Sequence, residues 1–471
     1  MASLQPVRGT HDLLPEQNRL QDYIANTARE IGELYGYHRM TTPIFEFTEV
    51  FARTLGDTSD VVTKEMYTFE DRGGEQITLR PEGTAGIARA YISNGMQQMS
   101  PVKVSYYGPM FRYERPQKGR QRQFHQIGAE LLGVEQVAGD IEMIGYGAHI
   151  LKRLGLWDDI TLELNTLGDP ESRAAYRDVL VDYFKGHFDK LSEDSRARLE
   201  KNPLRILDSK DEGDRELVAN APLFSEYLND HSKEFFKGLT EGLGDIGISY
   251  QLNPRLVRGL DYYCHTCFEF TTNTLGAQGT VMAGGRYDGL ISTMGGPQTA
   301  GVGWAAGVER LALMVGEAPA GARPVALIPM GDAAEAKCRS LAQTLREAGV
   351  AVELGYSGNM KKRLKRADKA RAILAVVIGE SELESGRYQV KLLDQSEAFH
   401  VSEARLEDIL KQYRVFCSIK GAKQNASRTF LFNNLVQSTH EEMDFLEILS
   451  SETASSDWQS KFLRLMLSSN R

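Results

Sequence analysis

Cationic side chains are concentrated in residues 112–122, where five of eleven residues are Arg or Lys and one, Glu114, is acidic. The segment joins two runs with strand-like alternation, 103–115 and 123–132, so the sequence predicts the tip of a β-hairpin. Arginine suits phosphate groups because its planar guanidinium donates two parallel hydrogen bonds. The pattern therefore favours a phosphate-binding loop, and a solvated surface loop is the structural alternative.

The predicted hairpin also presents polar side chains on one face. Arg112 and Glu114 share a face of the first strand, as Gln126 and Glu130 do on the second. Polar residues aligned across a central hairpin indicate the floor of a ligand site instead of a hydrophobic core. In such a site Phe124 can stack on a planar base, and Glu114 can accept a hydrogen bond from the amino group of that base.

Three other clusters combine polar residues with turns or glycines. Glu82 and Thr84, at a turn before a helix, can hold an ammonium group, although a helix start alone explains the pattern as well. Residues 256–263 and 283–288 are rich in Arg, Tyr and Gly. The last cluster is a glycine-rich strand followed by a helix that carries Arg310, and glycine lets a ligand approach the backbone closely.

Two other patterns do not support cofactor chemistry. Cys264 and Cys267 form a CxxC pair, but a zinc site needs about four ligands, and no second Cys/His pair has ligand spacing. The glycine-rich segments match neither a dinucleotide-binding motif nor a P-loop. We therefore expect reduced, structural cysteines and no metal held by protein ligands.

The composition is that of an ordinary globular enzyme. The 471 residues include 55 Lys and Arg against 64 Asp and Glu, a net charge of −9, which argues against general nucleic-acid adhesion but allows local basic patches. Four cysteines are too few for a disulfide framework, no apolar run has membrane-spanning length, and the first residues lack a signal-peptide pattern. We expect a cytoplasmic protein with no membrane association.

Periodicity predicts how the chain is organised. Residues 1–320 contain the four clusters and a long, charged, mostly helical stretch at about 168–250, which has the character of an insertion. Residues 324–415 alternate strands with helices, which predicts a small α/β domain with a largely parallel sheet. Residues 416–471 show no sustained pattern, so we expect a peripheral or disordered tail. The predicted elements include a helix at 13–35, a β-rich edge segment at 42–51, a hairpin at 66–70 and 76–79, and helices at 85–91 and 401–413.

Taken together, the clusters resemble the class II aminoacyl-tRNA synthetases, and within them the histidyl-tRNA synthetase family. FRYERPQKGRQRQFHQIGAE is similar to the second class motif and GVGWAAGVERL to the third. The stretch from about 37 to 67 lies where the first, dimer-forming motif belongs. LVRGLDYY and AGGRYDGL are similar to the two signatures of the histidine enzymes. The resemblance covers about residues 5–415.

The resemblance implies an α+β catalytic domain built on an antiparallel sheet with a helical insertion, followed by a small α/β anticodon-binding domain. It implies that a homodimer activates L-histidine with ATP and Mg²⁺ and transfers the histidyl group to tRNA(His), with no tightly bound cofactor. The implied ATP contacts are Arg112, Glu114, Arg120, Phe124 and Arg310. The implied histidine contacts are Glu82, Gly83, Thr84, Arg112, Gln126, Glu130, Arg258, Tyr262, Tyr263 and Tyr287, with Arg112 and Arg258 catalytic.

The chemistry of imidazole makes part of this assignment sensible. A neutral imidazole has one N–H donor and one acceptor nitrogen. Glu130 can accept from the first and the Tyr263 hydroxyl can donate to the second, so an analogue without these groups leaves buried partners unpaired. Because consecutive residues of an ideal strand point to opposite faces, we expect either Tyr262 or Tyr263 to buttress the pocket.

The implied anticodon-binding domain contains a second basic segment. Residues 361–371 include seven cations and one acid. A solvated helix is the alternative, but this excess favours contact with tRNA phosphates. The predicted tRNA contacts are Lys118, Arg122, Lys361, Lys362, Arg363, Lys365 and Arg366.

Two other functions fit parts of the pattern. A histidine-binding regulatory subunit for the first enzyme of histidine biosynthesis resembles the synthetase core, but such proteins lack the anticodon module and typically lose catalytic arginines. Here Arg112, Arg258 and Arg310 are all present. An amino-acid adenylating enzyme that uses no tRNA is the other alternative, and a tRNA-charging assay separates it from a synthetase.

Overall fold

The computed structural model describes residues 4–410 apart from 56–64, 118, 210, 258–261, 277–278, 322, 395–396 and 408. The chain divides into two units, Met1–Ala318 and Pro319–Arg471. Within the described ranges, no helix has both the length and the apolarity needed to cross a membrane. The predicted tail at 416–471 lies outside the described residues.

An eight-stranded sheet forms the centre of the first unit. The six middle strands pair antiparallel, whereas the pair at each edge is parallel. The strands, in spatial order, are β1 (His38–Arg39), β5 (Val102–Phe111), β6 (Gln123–Leu132), β11 (Gly301–Gly307), β10 (Thr280–Arg286), β9 (Cys264–Thr271), β7 (Thr161–Thr166) and β8 (Gln251–Leu252). The predicted antiparallel sheet is therefore confirmed.

Period-2 alternation separates the two faces of this sheet. Ile127, Ala129 and Leu131 of β6 pack into the main hydrophobic core, so the intervening polar residues face the other way. The helices that cover the apolar face are α1 (Pro15–Leu34), α4 (Ala138–Arg153) and α10 (Val308–Val315). The polar face predicted from the hairpin is thus left for a ligand site.

A second, three-stranded sheet is formed by residues that lie between β1 and β5 in the sequence. It consists of β2 (Phe45–Phe47), β4 (Gln76–Leu79) and β3 (Tyr67–Glu70), and its helices are α2 (Thr48–Leu55) and α3 (Thr84–Ser93). The hairpin predicted at 66–70 and 76–79 is confirmed. The β-rich segment predicted at 42–51 is wrong in its second half, because α2 begins at Thr48. Phe51 is fully buried there against Ala85, so tertiary packing overrides the strand propensity of the segment.

Between β7 and β8 the chain forms a helical insertion with its own apolar core. Its helices are α5 (Pro170–Lys185), α6 (Glu193–Lys201), α7 (Glu212–Asn220) and α8 (Asp230–Asp245). Asp169 caps α5 by accepting a hydrogen bond from the Ser172 backbone N–H at 2.8 Å, with Pro170 as the first helical residue. The short helix α9 (Leu290–Thr293) follows β10.

The second unit contains a five-stranded sheet in the order β13-β12-β14-β15-β16. The elements are β12 (Val325–Pro329), α11 (Asp332–Glu347), β13 (Val352–Leu354), α12 (Met360–Lys369), β14 (Leu374–Ile378), α13 (Glu380–Ser385), β15 (Arg387–Leu392) and β16 (Glu397–Ser402). The prediction of a largely parallel sheet is wrong. Only β13, β12 and β14 are parallel, and the connections after β14 are too short for parallel crossovers. The helix predicted at 401–413 begins at Glu403, two residues later than predicted, because β16 continues to Ser402.

Gly303 provides a test of how tightly the central strands are packed. It pairs with Glu130 across β11 and β6, and a methyl group on Gly303 would overlap the Glu130 carboxylate. We expect Gly303→Ala to lower the free energy of unfolding by about 1–3 kcal/mol, the usual effect of overpacking. Thermal unfolding measures this change. As a control, Gly244→Ala in α8 places its methyl group in open space and should leave the midpoint unchanged or slightly raised.

Candidate active site

A cavity of about 320 Å³ lies against strands β6, β10 and β11. It brings together side chains from all the sequence clusters that were predicted to carry chemistry. The predicted residues that line it are Glu82, Thr84, Arg112, Glu114, Arg120, Phe124, Gln126, Tyr262, Tyr263 and Arg310. Residues far apart in sequence therefore share one pocket.

Other predicted residues lie beside this cavity or outside the described chain. Glu130 and Tyr287 are buried directly beneath it and do not line it. Arg122 holds its guanidinium 3.8 Å from the centre of the Tyr113 ring, away from the cavity lining. Arg258 and Lys118 are not among the described residues.

One end of the cavity is cationic. The Arg112 Nε donates to the Pro81 carbonyl at 2.9 Å, and its guanidinium lies 5.3 Å from the centre of the Phe124 ring. Arg120 Nη1 lies 2.9 Å from Glu114 Oε2, an ion pair without aligned hydrogen-bond geometry. Burial, together with the neighbouring Arg120 charge, lowers the pKa of Arg310. Three cations thus converge at one end of the cavity, which suits a polyanionic ligand. The carboxylates of Glu114, Glu269 and Glu309 line the same cavity.

The other end of the cavity presents oxygen acceptors. Glu82 is buried and accepts from the backbone N–H groups of Thr84 at 2.7 Å and Ala85 at 2.9 Å, which caps α3. Burial raises the pKa of Glu82, although these two bonds oppose the shift. The Gln126 side-chain oxygen is also buried and has no hydrogen-bond partner among the described residues. An ammonium group would satisfy such acceptors.

Glu130 is held beneath the cavity by three hydroxyl groups. Its side chain is 0% exposed. Its Oε1 accepts from the Thr84 hydroxyl at 2.6 Å and from the Tyr106 hydroxyl at 3.4 Å, and its Oε2 accepts from the Tyr287 hydroxyl. Burial raises the pKa of Glu130 to about 8, because desolvation outweighs the hydrogen bonds that favour the charged form.

Tyr106 is a site residue that the sequence reasoning missed. Its hydroxyl lies against Glu130 beneath the cavity, and Tyr106 pairs with Gly128 of β6. Methyl groups on Gly83 or Gly128 would overlap its ring, so both glycines make room for it. The signal was available, because Tyr106 has the same strand parity as Arg112 and therefore the same face.

The prediction that either Tyr262 or Tyr263 buttresses the pocket assumed ideal strand geometry, which does not apply to these two residues. Both line the cavity, with ring centres 4.6 Å apart, because β9 begins only at Cys264 and the two tyrosines precede the strand. Cys264 and Cys267 are buried, free thiols. Over the residues that the structure describes, no group of three side chains could hold a metal ion.

Arg363 does not fit its predicted role in contacting tRNA. It is buried, and its guanidinium donates to the carbonyl groups of Pro329 and Gly358 and to the Glu335 carboxylate. Its charge is therefore used inside the second unit, and we remove it from the predicted contacts. The other predicted cations of α12 are exposed: Lys361, Lys362, Lys365 and Arg366.

Comparisons with known proteins agree over most of the chain. The family model described as Histidyl-tRNA synthetase matches residues 9–172 and 186–311, and the Anticodon binding domain model matches residues 324–413. A histidine–tRNA ligase of Rhodospirillum rubrum is 57% identical over 414 residues, which cover 88% of this chain and 100% of the relative. A histidine–tRNA ligase of Synechococcus elongatus is 50% identical over 411 residues, covering 86% of this chain and 94% of the relative.

Solved structures show the same likeness. The crystal structure of apo S. aureus histidyl-tRNA synthetase superimposes with a TM-score of 0.74 at 35% identity, covering 87% of this chain and 100% of that chain. An ATP phosphoribosyltransferase regulatory subunit/histidyl-tRNA synthetase from Bacillus halodurans C, at 23% identity and a TM-score of 0.61, covers 80% of this chain and 98% of its own and shares the fold alone. From the family-model match and the identity to relatives matched over their whole length, it follows that the chain belongs to the histidyl-tRNA synthetase family.

Proposed function

We propose that this chain joins L-histidine to tRNA(His) in two steps, using ATP. The observation that carries the proposal is the single cavity with three arginines at one end and buried carboxylates at the other. The first end suits a triphosphate and the second suits an amino acid with a hydrogen-bonding side chain. The relatives matched over nearly their full length, which are histidine–tRNA ligases, support the same activity.

In the first step, a carboxylate oxygen of histidine attacks the α-phosphorus of ATP. The bond to the bridging oxygen breaks, and pyrophosphate leaves with the electron pair. Negative charge builds on the phosphate oxygens, and cations fixed beforehand stabilise it without reorganising. Arg112 would contact the α-phosphate and the histidine carboxylate, and the family resemblance assigns Arg258 to the α-phosphate. Arg120 and Arg310 would hold the outer phosphates, while Phe124 and Glu114 would hold adenine.

ATP enters this proposal as its magnesium complex. Mg²⁺ usually retains water molecules and takes one or two carboxylates together with phosphate oxygens. Glu269 and Glu309 both line the cavity and are the carboxylates that would hold it. The ion would neutralise charge on the outer phosphates. In the second step, a ribose hydroxyl at the 3′ end of tRNA attacks the histidyl carbonyl carbon, and AMP leaves.

The buried carboxylates would select histidine. Glu82, Thr84 and Gln126 would hold the amino and carboxylate groups of histidine, beside Gly83. The bond from Tyr106 to Glu130 is longer than the bond from Thr84, so we propose that the imidazole N–H displaces Tyr106 and donates to Glu130. The hydroxyl of Tyr263 would donate to the other ring nitrogen, with Tyr262 and Tyr287 packed behind it.

The tRNA would contact the two basic regions of the chain. Lys118 and Arg122 belong to the hairpin tip, and we assign them to the acceptor end. The exposed cations of α12 would contact anticodon-stem phosphates. A match to the Anticodon binding domain over residues 324–413 argues against the regulatory-subunit alternative, in which this module is missing. The buried free cysteines are consistent with a reducing cytoplasm, where we place the enzyme.

A second copy of the chain is the proposed partner of the small sheet. Phe47, Ile77 and Phe69 form one row across β2, β4 and β3. Phe47 and Phe69 are 56% and 48% exposed, as is usual for a surface that another protein covers. Strand β2 lies within the segment at about 37–67 that resembles the dimer-forming motif, and β3 begins at the end of that segment.

Two assays test the activity. ATP–pyrophosphate exchange should depend on L-histidine, and the protein should charge tRNA(His) with histidine. Exchange that proceeds equally without histidine would contradict the proposal. Exchange without charging would favour the tRNA-independent adenylating enzyme.

Replacing the Glu130 carboxyl group with an amide should impair histidine recognition. At pH 8.5, above the pKa of Glu130, we expect Glu130→Gln to raise KM for histidine by about 10- to 100-fold, the effect of losing a hydrogen bond to a charged group, with KM for ATP unchanged. Steady-state pyrophosphate exchange measures both constants. Glu135→Gln, an exposed residue just beyond the same strand, is the control. An unchanged KM for histidine in Glu130→Gln would remove Glu130 from the recognition site.

The raised pKa of Glu130 predicts a pH dependence of stability. Between the ordinary pKa of a glutamate and about 8, the folded protein binds a proton that the unfolded chain has lost. Stability from this group therefore falls as pH rises, by at most about 1.4 kcal/mol per pH unit. Thermal midpoints between pH 5.5 and 8 should fall more steeply for the wild type than for Glu130→Gln. Parallel curves would show that Glu130 does not titrate in this range.

A charge on the small sheet should disrupt the proposed dimer. We expect the wild type to have about twice the 52.5 kDa mass of one chain by light scattering, and Phe47→Asp to shift it towards the monomer. Phe188→Asp changes an equally exposed aromatic residue of the insertion and should not alter the mass. A Phe47→Asp protein that stays dimeric would place the interface elsewhere.

A further inference from the structure

We propose that the helical insertion positions the wall of the histidine pocket, and that Arg173 is the positioning residue. The inference rests on the proposed function of the cavity. Arg173 belongs to α5 of the insertion, and its Nη1 donates to the backbone carbonyl of Tyr263 at 2.6 Å. Tyr263 lines the cavity and Arg173 does not, so this hydrogen bond connects Arg173 to the site through the tyrosine.

Arg173 extends from the first turn of α5, which is held by hydrogen bonds to α8. The first turns of α5 and α8 cap each other: Ser172 Oγ accepts from the Asn229 backbone N–H at 3.1 Å, and Asn229 Nδ2 donates to Asp169 at 2.8 Å. The side chains of Ser172 and Ser232 are almost fully buried at this junction. Arg173 follows Ser172 directly, so its backbone is fixed by both helices.

The insertion also contacts this segment of the pocket wall at His265, two residues after Tyr263. His265 has φ of 42°, in the left-handed region, which costs a non-glycine residue about 1–2 kcal/mol. Its backbone exchanges hydrogen bonds with Leu167 and Gly168, at 2.7 and 2.8 Å, at the start of the insertion. Its ring stacks on Phe235 of α8, with ring centres 4.6 Å apart.

Through these contacts the insertion fixes the positions of Tyr262 and Tyr263. Tyr262 and Tyr263 precede β9 and have no strand ladder to fix them. The hydrogen bond from Arg173 fixes the carbonyl group of Tyr263. The backbone hydrogen bonds of His265 fix the chain two residues later. Strain retained beside a binding site is expected where the surrounding structure imposes a required conformation. The insertion thereby sets the position of the hydroxyl that we assign to imidazole recognition.

Kinetics of Arg173 variants test the inference. Arg173→Ala should raise KM for histidine about tenfold, corresponding to about 1.4 kcal/mol, while KM for ATP stays within about twofold of the wild type. Arg173→Lys keeps one donor and should recover part of the histidine affinity. Arg177→Ala, an exposed arginine on the same helix, is the control and should match the wild type.

The outcomes separate this inference from the proposed function. A wild type without histidine-dependent exchange contradicts the function itself. A wild type with such exchange, and Arg173 variants with unchanged KM for histidine, overturns only the positioning role. Equal increases in both KM values would also overturn it, because they would indicate general structural damage. If Arg173→Ala does not fold, Arg173→Met decides, because it keeps the length of the side chain and removes the donor. A selective rise in KM for histidine would then support the inference, and a wild-type value would overturn it.

Discussion

The burial of one carboxylate, Glu130, is the constraint on which the rest of the site depends. A carboxylate removed from water is costly unless donors surround it. The fold supplies them from three separate elements: Thr84 at the start of α3, Tyr106 on β5, and Tyr287 after β10. Holding these three hydroxyls around one side chain ties the small sheet, the central hairpin and the glycine-rich strands to a single point beneath the cavity.

This constraint also explains the glycines. The sequence suggested that the glycine-rich strand allows a ligand to approach the backbone. In the structure, Gly303 makes room for Glu130 and Gly301 for the ring of Tyr287, while Gly83 and Gly128 make room for Tyr106. The glycines of three sequence clusters thus create the volume that large polar side chains occupy. Close ligand approach is a secondary consequence at Gly303, which lines the cavity.

The sequence pattern predicted an element correctly where interactions between neighbouring residues decide its structure. Alternation along 123–132 predicted both the bounds of β6 and its polar face, and Asp169–Pro170 predicted the start of α5. The errors arose where distant contacts decide. Thr48 begins a helix because Phe51 is buried, Arg363 turns inward to carbonyl groups that lie elsewhere in the second unit, and Tyr106 became recognisable only beside Glu130. The family motifs identified the site residues. The distances and contacts between those residues could be obtained only from the structure.

The distribution of charge agrees with the tRNA contacts that we propose. The net charge of the chain is −9, and cations are concentrated in the hairpin tip and in α12. We propose that Glu130 binds the imidazole of histidine from beneath the pocket, and a crystal structure with L-histidine bound would show this contact. We expect an imidazole nitrogen about 2.6–3.2 Å from a Glu130 carboxylate oxygen, with the Tyr106 hydroxyl displaced. A bound histidine whose ring contacts other residues, while Glu130 keeps all three hydroxyl donors, would contradict it.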